Sequence, residues 1–203
     1  MTPKVNHRLP DALYPSRYDI TIQPYFRVTE RPETYDGTVS ILFKASRDTN
    51  KLVLHAKSLE ITNTTLQLSS TTDTQFTQWN NFPWTYDPVT SFLIVDLGTD
   101  RIFRAGFNYT FRTSFKGRSE SDNAGIFRAS YEINGQTRWL LTTQMEYIEA
   151  RKSFPCFDEP GYRSVFHIKI IADSSLTKVK SNMPVKSTTP LYIELFKITY
   201  YEH

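Results

Sequence analysis

The stretch FNYTFRTSFK, residues 107–116, decides the fold class of this chain. Phe107, Tyr109, Phe111 and Phe115 share one parity within it, and polar residues occupy the alternate positions. Successive side chains of an extended strand point to opposite faces, so a period of two is typical of a half-buried strand. The stretch therefore predicts a β-strand with one buried face and one solvent-exposed face.

Period-two alternation recurs along the rest of the chain. Asn134-Gly135 lies between two alternating runs, and both residues tolerate the positive φ of a primed turn, so we predict a β-hairpin there. The predicted strands together favour an all-β fold, an antiparallel-rich β-sandwich or curved sheet assembly. Besides the first stretch, we predict strands at 17–26, 36–45, 51–55, 58–62, 65–69, 92–95, 125–133, 137–144, 164–172 and 178–182, with Phe127, Ala129, Tyr131 and Ile133 pointing inward.

Helix signals are scarce. One short helix is predicted near 147–153, because Glu146 and Glu149 lie near its amino end and Arg151 near its carboxyl end, as the helix dipole favours. Pro155 ends this helix. It is the only helix that the sequence predicts.

Composition excludes several classes of protein. Of 203 residues only seven are Gly and 14% are aromatic, which is incompatible with a collagen-like or disordered chain. We expect a single domain over residues 1–203, since β domains commonly run to about 200–250 residues. The 24 basic and 21 acidic residues are scattered, so we predict no nucleic-acid partner. No apolar run approaches the ~18 residues of a membrane helix, so we predict no membrane contact by this chain.

Catalytic and metal-binding motifs are missing from the sequence. Its four His residues are far apart, and none stands in the H-E-x-x-H spacing that places two imidazoles on one helical face. There is no G-x-S-x-G motif, and Cys156 has no electropositive neighbours, so we interpret it as a buried, inert thiol. We interpret His55 and His167 as structural. We predict no metal site and no catalytic residue in this chain.

Gln144 and Glu146 form the one constellation that suggests chemistry. They share a parity at the end of the predicted strand 137–144, which places an amide beside a carboxylate at the edge of a covered surface. A carboxylate with reduced water competition attracts an ammonium group strongly, and an amide oxygen adds a directed acceptor. The residues alone leave a second interpretation open, in which Glu146 caps the following helix and Gln144 is an ordinary surface residue.

A set of short motifs carries a resemblance to a known family. The motifs are Thr143-Gln144-Met145-Glu146, Ala150-Arg151-Lys152, Phe154-Pro155-Cys156-Phe157-Asp158-Glu159-Pro160 and Ser181-Asn182-Met183-Pro184, with Arg8-Leu9-Pro10 and Leu54-His55-Ala56 upstream. Over about residues 8–189 the chain resembles the amino-terminal domain of the aminopeptidase N family of zinc metallopeptidases. Residues 190–203 are a truncated or divergent tail, or the start of the domain's last strands.

The resemblance implies a saddle-shaped β domain that forms one wall of the active site beside the catalytic domain of a parent aminopeptidase. In such enzymes the Gln and Glu of this motif anchor the substrate's free α-amino group, which assigns peptide N-terminus binding to Gln144 and Glu146. Met145 and Tyr147 are weaker candidate contacts. The family's zinc ligands and catalytic motifs do not occur in these residues, so no cofactor is expected here, and we expect the chain alone to be inactive. Asp158 and Glu159 are interpreted as turn and packing residues.

Two sequons, Asn63-Thr64-Thr65 and Asn108-Tyr109-Thr110, predict N-glycosylation of Asn63 and Asn108. They favour a parent that is secreted or lies at the extracellular face of the plasma membrane, although residues 1–7 do not resemble a signal sequence.

Two other functions stay open at this stage. The first is a stand-alone β-sandwich module that binds peptides or proteins. The second is an unrelated carbohydrate-binding or adhesion sandwich.

Overall fold

The computed structural model describes residues 5–25, 33–65, 83–119, 122–173, 179–190 and 196–202. Strands dominate these residues, so the prediction of an all-β fold with antiparallel-rich sheets is confirmed. The strands are β1 (Leu13–Pro24), β2 (Thr34–Ala45), β3 (Lys51–His55), β4 (Glu60–Thr65), β5 (Trp84–Asp87), β6 (Phe92–Asp96), β7 (Asn108–Arg118), β8 (Gly125–Ile133), β9 (Gln136–Gln144), β10 (Val165–Asp173), β11 (Val185–Pro190) and β12 (Phe196–Glu202).

Three sheets organise these strands. The large sheet has the order β11-β12-β10-β1-β2-β7-β4, and a smaller sheet has the order β3-β6-β5. β8 and β9 pair only with each other in the described part. The pairing is antiparallel except between β1 and β10, which run parallel. The segment after residue 189, for which two interpretations were open, includes β12, which pairs with both β10 and β11.

One hydrophobic core lies between the large sheet and the small sheet. The inward positions of β7 predicted from residues 107–116 are confirmed, because Tyr109, Phe111 and Phe115 are buried. β2 contributes Ile41 and Phe43 to the same core. From the small sheet the core receives Leu52 and Leu54 of β3 and Leu93 and Val95 of β6.

The predicted short helix is a single 3-10 turn, Ala150–Lys152, inside the predicted range 147–153. Its neighbours explain why it stays short. Ser153 N–H closes the turn on the Ala150 carbonyl, and Pro155 follows two residues later.

Several strand predictions differ from the structure. β5 and β11 were not predicted, and the predicted strand 65–69 lies almost entirely outside the described residues. The strand predicted at 178–182 is wrong, because its described part, residues 179–182, contains no strand. Its alternation is too short to overcome the bend at Asn182 and Met183.

The hairpin predicted at Asn134-Gly135 is confirmed. Asn134 and Gly135 have φ values of 51° and 72°, which is the positive φ that a primed turn requires. The inward direction predicted for all four apolar residues of β8 is wrong for two of them: Tyr131 and Ile133 are 47% and 50% exposed. No described element of the domain covers the distal half of the hairpin.

Candidate functional site

The four predicted substrate-binding residues lie on one loop at the end of β9. Gln144 is the last residue of the strand, and the Glu149 N–H closes the loop by donating to the Met145 carbonyl at 3.0 Å. Gln144 and Glu146 are exposed, and Tyr147 is 93% exposed. Met145 is half-buried, and the Ser153 hydroxyl donates to its sulfur at 3.4 Å. The loop therefore has a buried base and an exposed tip.

Glu146 is not committed to a structural role among the described residues. No ion pair or hydrogen bond of its carboxylate is found there, and the same holds for the Gln144 amide. The alternative interpretation, in which Glu146 caps the following helix, is wrong. The N-cap residue of the 3-10 turn is Glu149, and no side chain makes a capping hydrogen bond there. The Glu146 carboxylate is thus available to a cation from outside the domain.

A buried lysine supports the base of the loop. Lys152 Nζ lies 2.5 Å from Asp122 Oδ2 and 3.0 Å from Glu149 Oε2. Burial would by itself lower the pKa of Lys152, but hydrogen bonds to the two carboxylates outweigh it, so the pKa is raised above its ordinary value. Lys152 therefore stays charged and joins the segment before β8 to the loop after β9.

Gly125 lets the hairpin approach this base closely. It is paired with Gln144 across the hairpin and has a φ of +66°. A Cβ at this position would lie 2.8 Å from the Cβ of Lys152, which is closer than real side chains approach. Only glycine meets both conditions without strain.

Residues 150–159, here called the clamp, join the loop to the rest of the domain. Arg151 Nε donates to Asp158 Oδ2 at 2.8 Å, and its Nη2 donates to the Asp158 carbonyl at 2.9 Å. Both side chains are only 10% exposed. Further along, the Phe157 N–H donates to the Tyr18 hydroxyl at 3.0 Å, and Glu159 Oε1 accepts the Leu9 N–H at 2.6 Å.

Cys156 lies within the clamp, and His55 is bound to it through the backbone. Their backbones form an antiparallel bridge, with N–H···O distances of 2.8 and 3.0 Å. Cys156 is buried, as predicted, and burial raises the pKa of its thiol. His55 is also buried against Phe92, and burial together with the nearby Arg151 guanidinium lowers the pKa of its imidazole to about 4. Both side chains are structural.

The sequence did not predict the charged residues that fix the base of the loop and the clamp in place. Asp158 and Glu159 have structural roles, as interpreted: the Glu159 carbonyl accepts the Tyr162 N–H at 3.1 Å across the turn at Pro160-Gly161. Their side chains also act as ion-pair and hydrogen-bond partners. The i,i+3 spacing of Glu149 and Lys152 is a signal that could have indicated one pair. No sequence signal links Lys152 to Asp122, because tertiary packing brings them together.

The two predicted glycosylation residues lie on neighbouring strands. Asn108 is exposed at the first position of β7. Asn63 lies in β4 opposite Ser114, where the register of β4 and β7 shifts, and its side chain lies outside the described part.

The described residues contain neither a side-chain cluster that could hold a metal ion nor a helix that could span a membrane. No three His, Cys, Asp or Glu side chains among them are grouped so as to hold a metal ion. The zinc of an aminopeptidase therefore does not fit the residues described here. Within the same part of the chain, no helix has the length and apolar character needed to cross a membrane.

Comparison with known proteins gives consistent results. The family model described as the peptidase M1 N-terminal domain matches residues 14–203. Aminopeptidase N of Canis lupus familiaris is 32% identical over 187 residues, which are 91% of this chain and 19% of that protein. Aminopeptidase N of Bos taurus is 34% identical over 182 residues, 89% of this chain and 18% of that protein. Membrane alanyl aminopeptidase of Manduca sexta is 29% identical over 194 residues, 92% of this chain and 19% of that protein.

The chain thus spans about a fifth of the length of these relatives. The resemblance seen in the short motifs is confirmed, and the match extends over β12 to the last residue. The chain belongs to the peptidase M1 N-terminal domain family.

Proposed function

We propose that this chain is the non-catalytic N-terminal domain of a zinc-dependent aminopeptidase, where it forms one wall of the active site. In this proposal Gln144 and Glu146 anchor the α-ammonium group of a peptide substrate, and Met145 and Tyr147 are weaker contacts beside the first residue. The observation that carries the proposal is the exposed Glu146 carboxylate, which lacks a partner among the described residues although the base of its loop is buried and tightly held.

The chemistry of this arrangement suits an amino terminus. A carboxylate attracts an ammonium group more strongly when a neighbouring domain excludes water, because the effective dielectric falls. A mid-chain amide carries no positive charge and would leave the carboxylate unpaired, which disfavours it. An amide oxygen from Gln144 can accept a second N–H of the same ammonium group.

Zinc and the reacting groups would come from the rest of the parent enzyme. Zinc, when bound there, polarises the scissile carbonyl and activates water. We assign no step of the hydrolysis to this chain; its residues bind and orient the substrate's amino end.

Substitution of Glu146 by Gln in the longer protein that contains this chain tests the anchoring role. Loss of a charge-assisted hydrogen bond of about 1.5–3 kcal/mol should raise KM for free-amino peptides roughly 10- to 100-fold. Binding of amino-blocked competitors should change less than about twofold. Glu132→Gln, which removes an exposed carboxylate on the hairpin, is the matched control. Equal losses of affinity for free-amino and amino-blocked ligands would refute the anchoring role.

The gene itself separates this proposal from the stand-alone binding module. An in-frame H-E-x-x-H motif downstream of His203 in the transcript would support the aminopeptidase. If the mature transcript ended without that motif, the chain would have to act as a binding module.

We also propose that Asn108 and Asn63 carry N-linked glycans in a secreted or cell-surface parent. Asn108 supports this proposal because it is exposed. The wild-type chain, Thr110→Ser and Thr110→Ala are each expressed through a secretory pathway and then treated with an enzyme that removes N-linked glycans. The treatment should remove an Asn108 glycan from the wild-type chain and from Thr110→Ser. Thr110→Ala should carry no glycan at Asn108. An unmodified Asn108 in the secreted wild type would contradict the proposal.

A further inference from the structure

The tip of the loop after β9 depends on the residues on either side of it. Residues 146–148 form this tip, and all three are exposed. The loop is closed below them by the hydrogen bond from the Glu149 N–H to the Met145 carbonyl. Within the described part of the chain, no side chain of the tip makes a hydrogen bond or an ion pair. The direction of the Glu146 carboxylate is therefore set by how Met145 and Glu149 are held.

Two consecutive residues of the clamp hold these two sides of the loop. The Ser153 hydroxyl donates to the Met145 sulfur at 3.4 Å, and Lys152 Nζ lies 3.0 Å from Glu149 Oε2. A thioether is a weak acceptor, whereas a hydrogen bond between two ionised groups is about twice as strong as one between neutral groups. Lys152 is therefore the stronger of the two attachments.

Lys152 is itself fixed at both ends. Its carbonyl accepts the hydroxyl of Tyr35 at 2.8 Å, and Tyr35 is buried in β2. At the other end, Nζ lies 2.5 Å from Asp122 Oδ2 in the segment before β8. The Lys152 side chain is only 6% exposed, so water competes little for its ammonium group. Lys152 thus connects the loop to the large sheet and to the start of the hairpin.

The same lysine decides which carboxylate of this region is available to a substrate. Asp122, Glu146 and Glu149 all carry carboxylates on the loop or on the segment before β8, and Lys152 pairs with the first and the last of them. Glu146 is exposed and has no ion pair or hydrogen bond among the described residues. A cation that arrives from outside therefore meets Glu149 already neutralised and Glu146 still charged.

We infer that Lys152 is a positioning residue of this site: it holds the loop so that the Glu146 carboxylate faces the substrate's amino end, and it keeps Asp122 and Glu149 from competing for that group. The inference rests on the proposed function. Without the Lys152 ammonium group, Glu149 would be a partly buried carboxylate without a partner, which is costly. The loop would turn Glu149 toward water, and its hydrogen bond to Met145 would open.

Hydrogen exchange in the 203-residue chain tests this hold on the loop without substrate. Lys152→Met removes the ammonium group and keeps most of the length of the side chain. The Glu149 N–H should then exchange at least about tenfold faster than in the wild type, and the Phe157 N–H should change less than about twofold. Equal acceleration of both amides would show a loss of stability of the whole domain and would overturn the inference.

Two further variants make this measurement specific. Tyr18→Phe is the control, because it removes the acceptor of the Phe157 N–H in the clamp and should accelerate Phe157 while leaving Glu149 unchanged. Glu149→Gln releases the loop while Lys152 keeps its ion pair with Asp122, so it leaves no buried charge unpaired. This variant should accelerate the Glu149 position about threefold, even if Lys152→Met does not fold. Unchanged exchange in Glu149→Gln would overturn the inference.

A double-mutant cycle in the longer protein that contains this chain tests the effect on substrate. Lys152→Met should raise KM for free-amino peptides about three- to tenfold, with kcat changed less than about twofold, whereas Tyr18→Phe should leave KM unchanged. In the Glu146→Gln background, Lys152→Met should change KM less than about twofold, because the carboxylate that it positions is gone. The full effect in that background would overturn the positioning role.

The two tests distinguish failure of this inference from failure of the proposed function. Faster Glu149 exchange in Lys152→Met, together with no effect of Glu146→Gln on KM, would refute the substrate anchor and keep Lys152 as the residue that holds the loop. Unchanged Glu149 exchange, together with a large effect of Glu146→Gln, would keep the anchor and overturn the role of Lys152.

Discussion

The clamp and the β8–β9 hairpin meet at Gly125 but achieve order by opposite means. In the clamp, buried polar and charged groups are paired within the domain, as Arg151 is with Asp158 and the Phe157 N–H with Tyr18. In the distal hairpin, apolar side chains such as Ile133 are exposed and the ribbon is held by its own register and by Arg128. The clamp's charged groups are thus paired within the described residues, whereas the distal hairpin leaves apolar side chains exposed.

The largest effect should follow from breaking the clamp at its buried ion pair. Asp158→Ala leaves the Arg151 guanidinium buried without its carboxylate, and such a loss typically costs about 3–5 kcal/mol. Urea denaturation of the 203-residue chain measures it. Glu60→Ala is the control, because Glu60 and Lys116 form an exposed pair at 3.9 Å that is worth at most about 1 kcal/mol. Similar losses for both variants would show that the clamp does not depend on this pair.

Acid should weaken the clamp through His55. Its pKa is about 4 in the folded state and about 6.5 when exposed, so the unfolded state binds the extra proton more readily. The contribution of this group to stability is therefore fully favourable above about pH 6.5 and is lost as the pH falls toward 4. As the pH falls from 7 to 4.5, the free energy of unfolding of His55→Leu should rise relative to that of the wild type. A stability difference that is independent of pH would contradict the assignment of this slope to His55.

These two regions also show what could be predicted from the sequence. The hairpin was predicted with its turn, and β8 with its bounds, because alternation and an Asn-Gly turn are local signals. Local signals assign a side chain to a face, but they do not say whether another element covers that face. This is why Tyr131 and Ile133 were wrongly expected to point inward.

The clamp illustrates the opposite case. The motif at residues 154–160 carried the resemblance to the family, and Asp158 and Glu159 were interpreted as structural residues from the sequence. The partners of Asp158 and Glu159 could not be derived, because Arg151 and Leu9 reach them only after folding brings distant segments together. β5 and β11 were not predicted for a related reason. Each strand is short, and pairing with β6 or with β12 holds its backbone in the extended conformation.

The smallest change in stability should come from a substitution in the distal hairpin. Ile133→Thr in the 203-residue chain keeps a β-branched residue at a half-exposed position, so stability should change by less than about 0.5 kcal/mol. The same substitution at Ile41, which is fully buried in β2, should cost about 2–4 kcal/mol, because it removes packing and buries a hydroxyl. Urea denaturation of both variants measures the contrast.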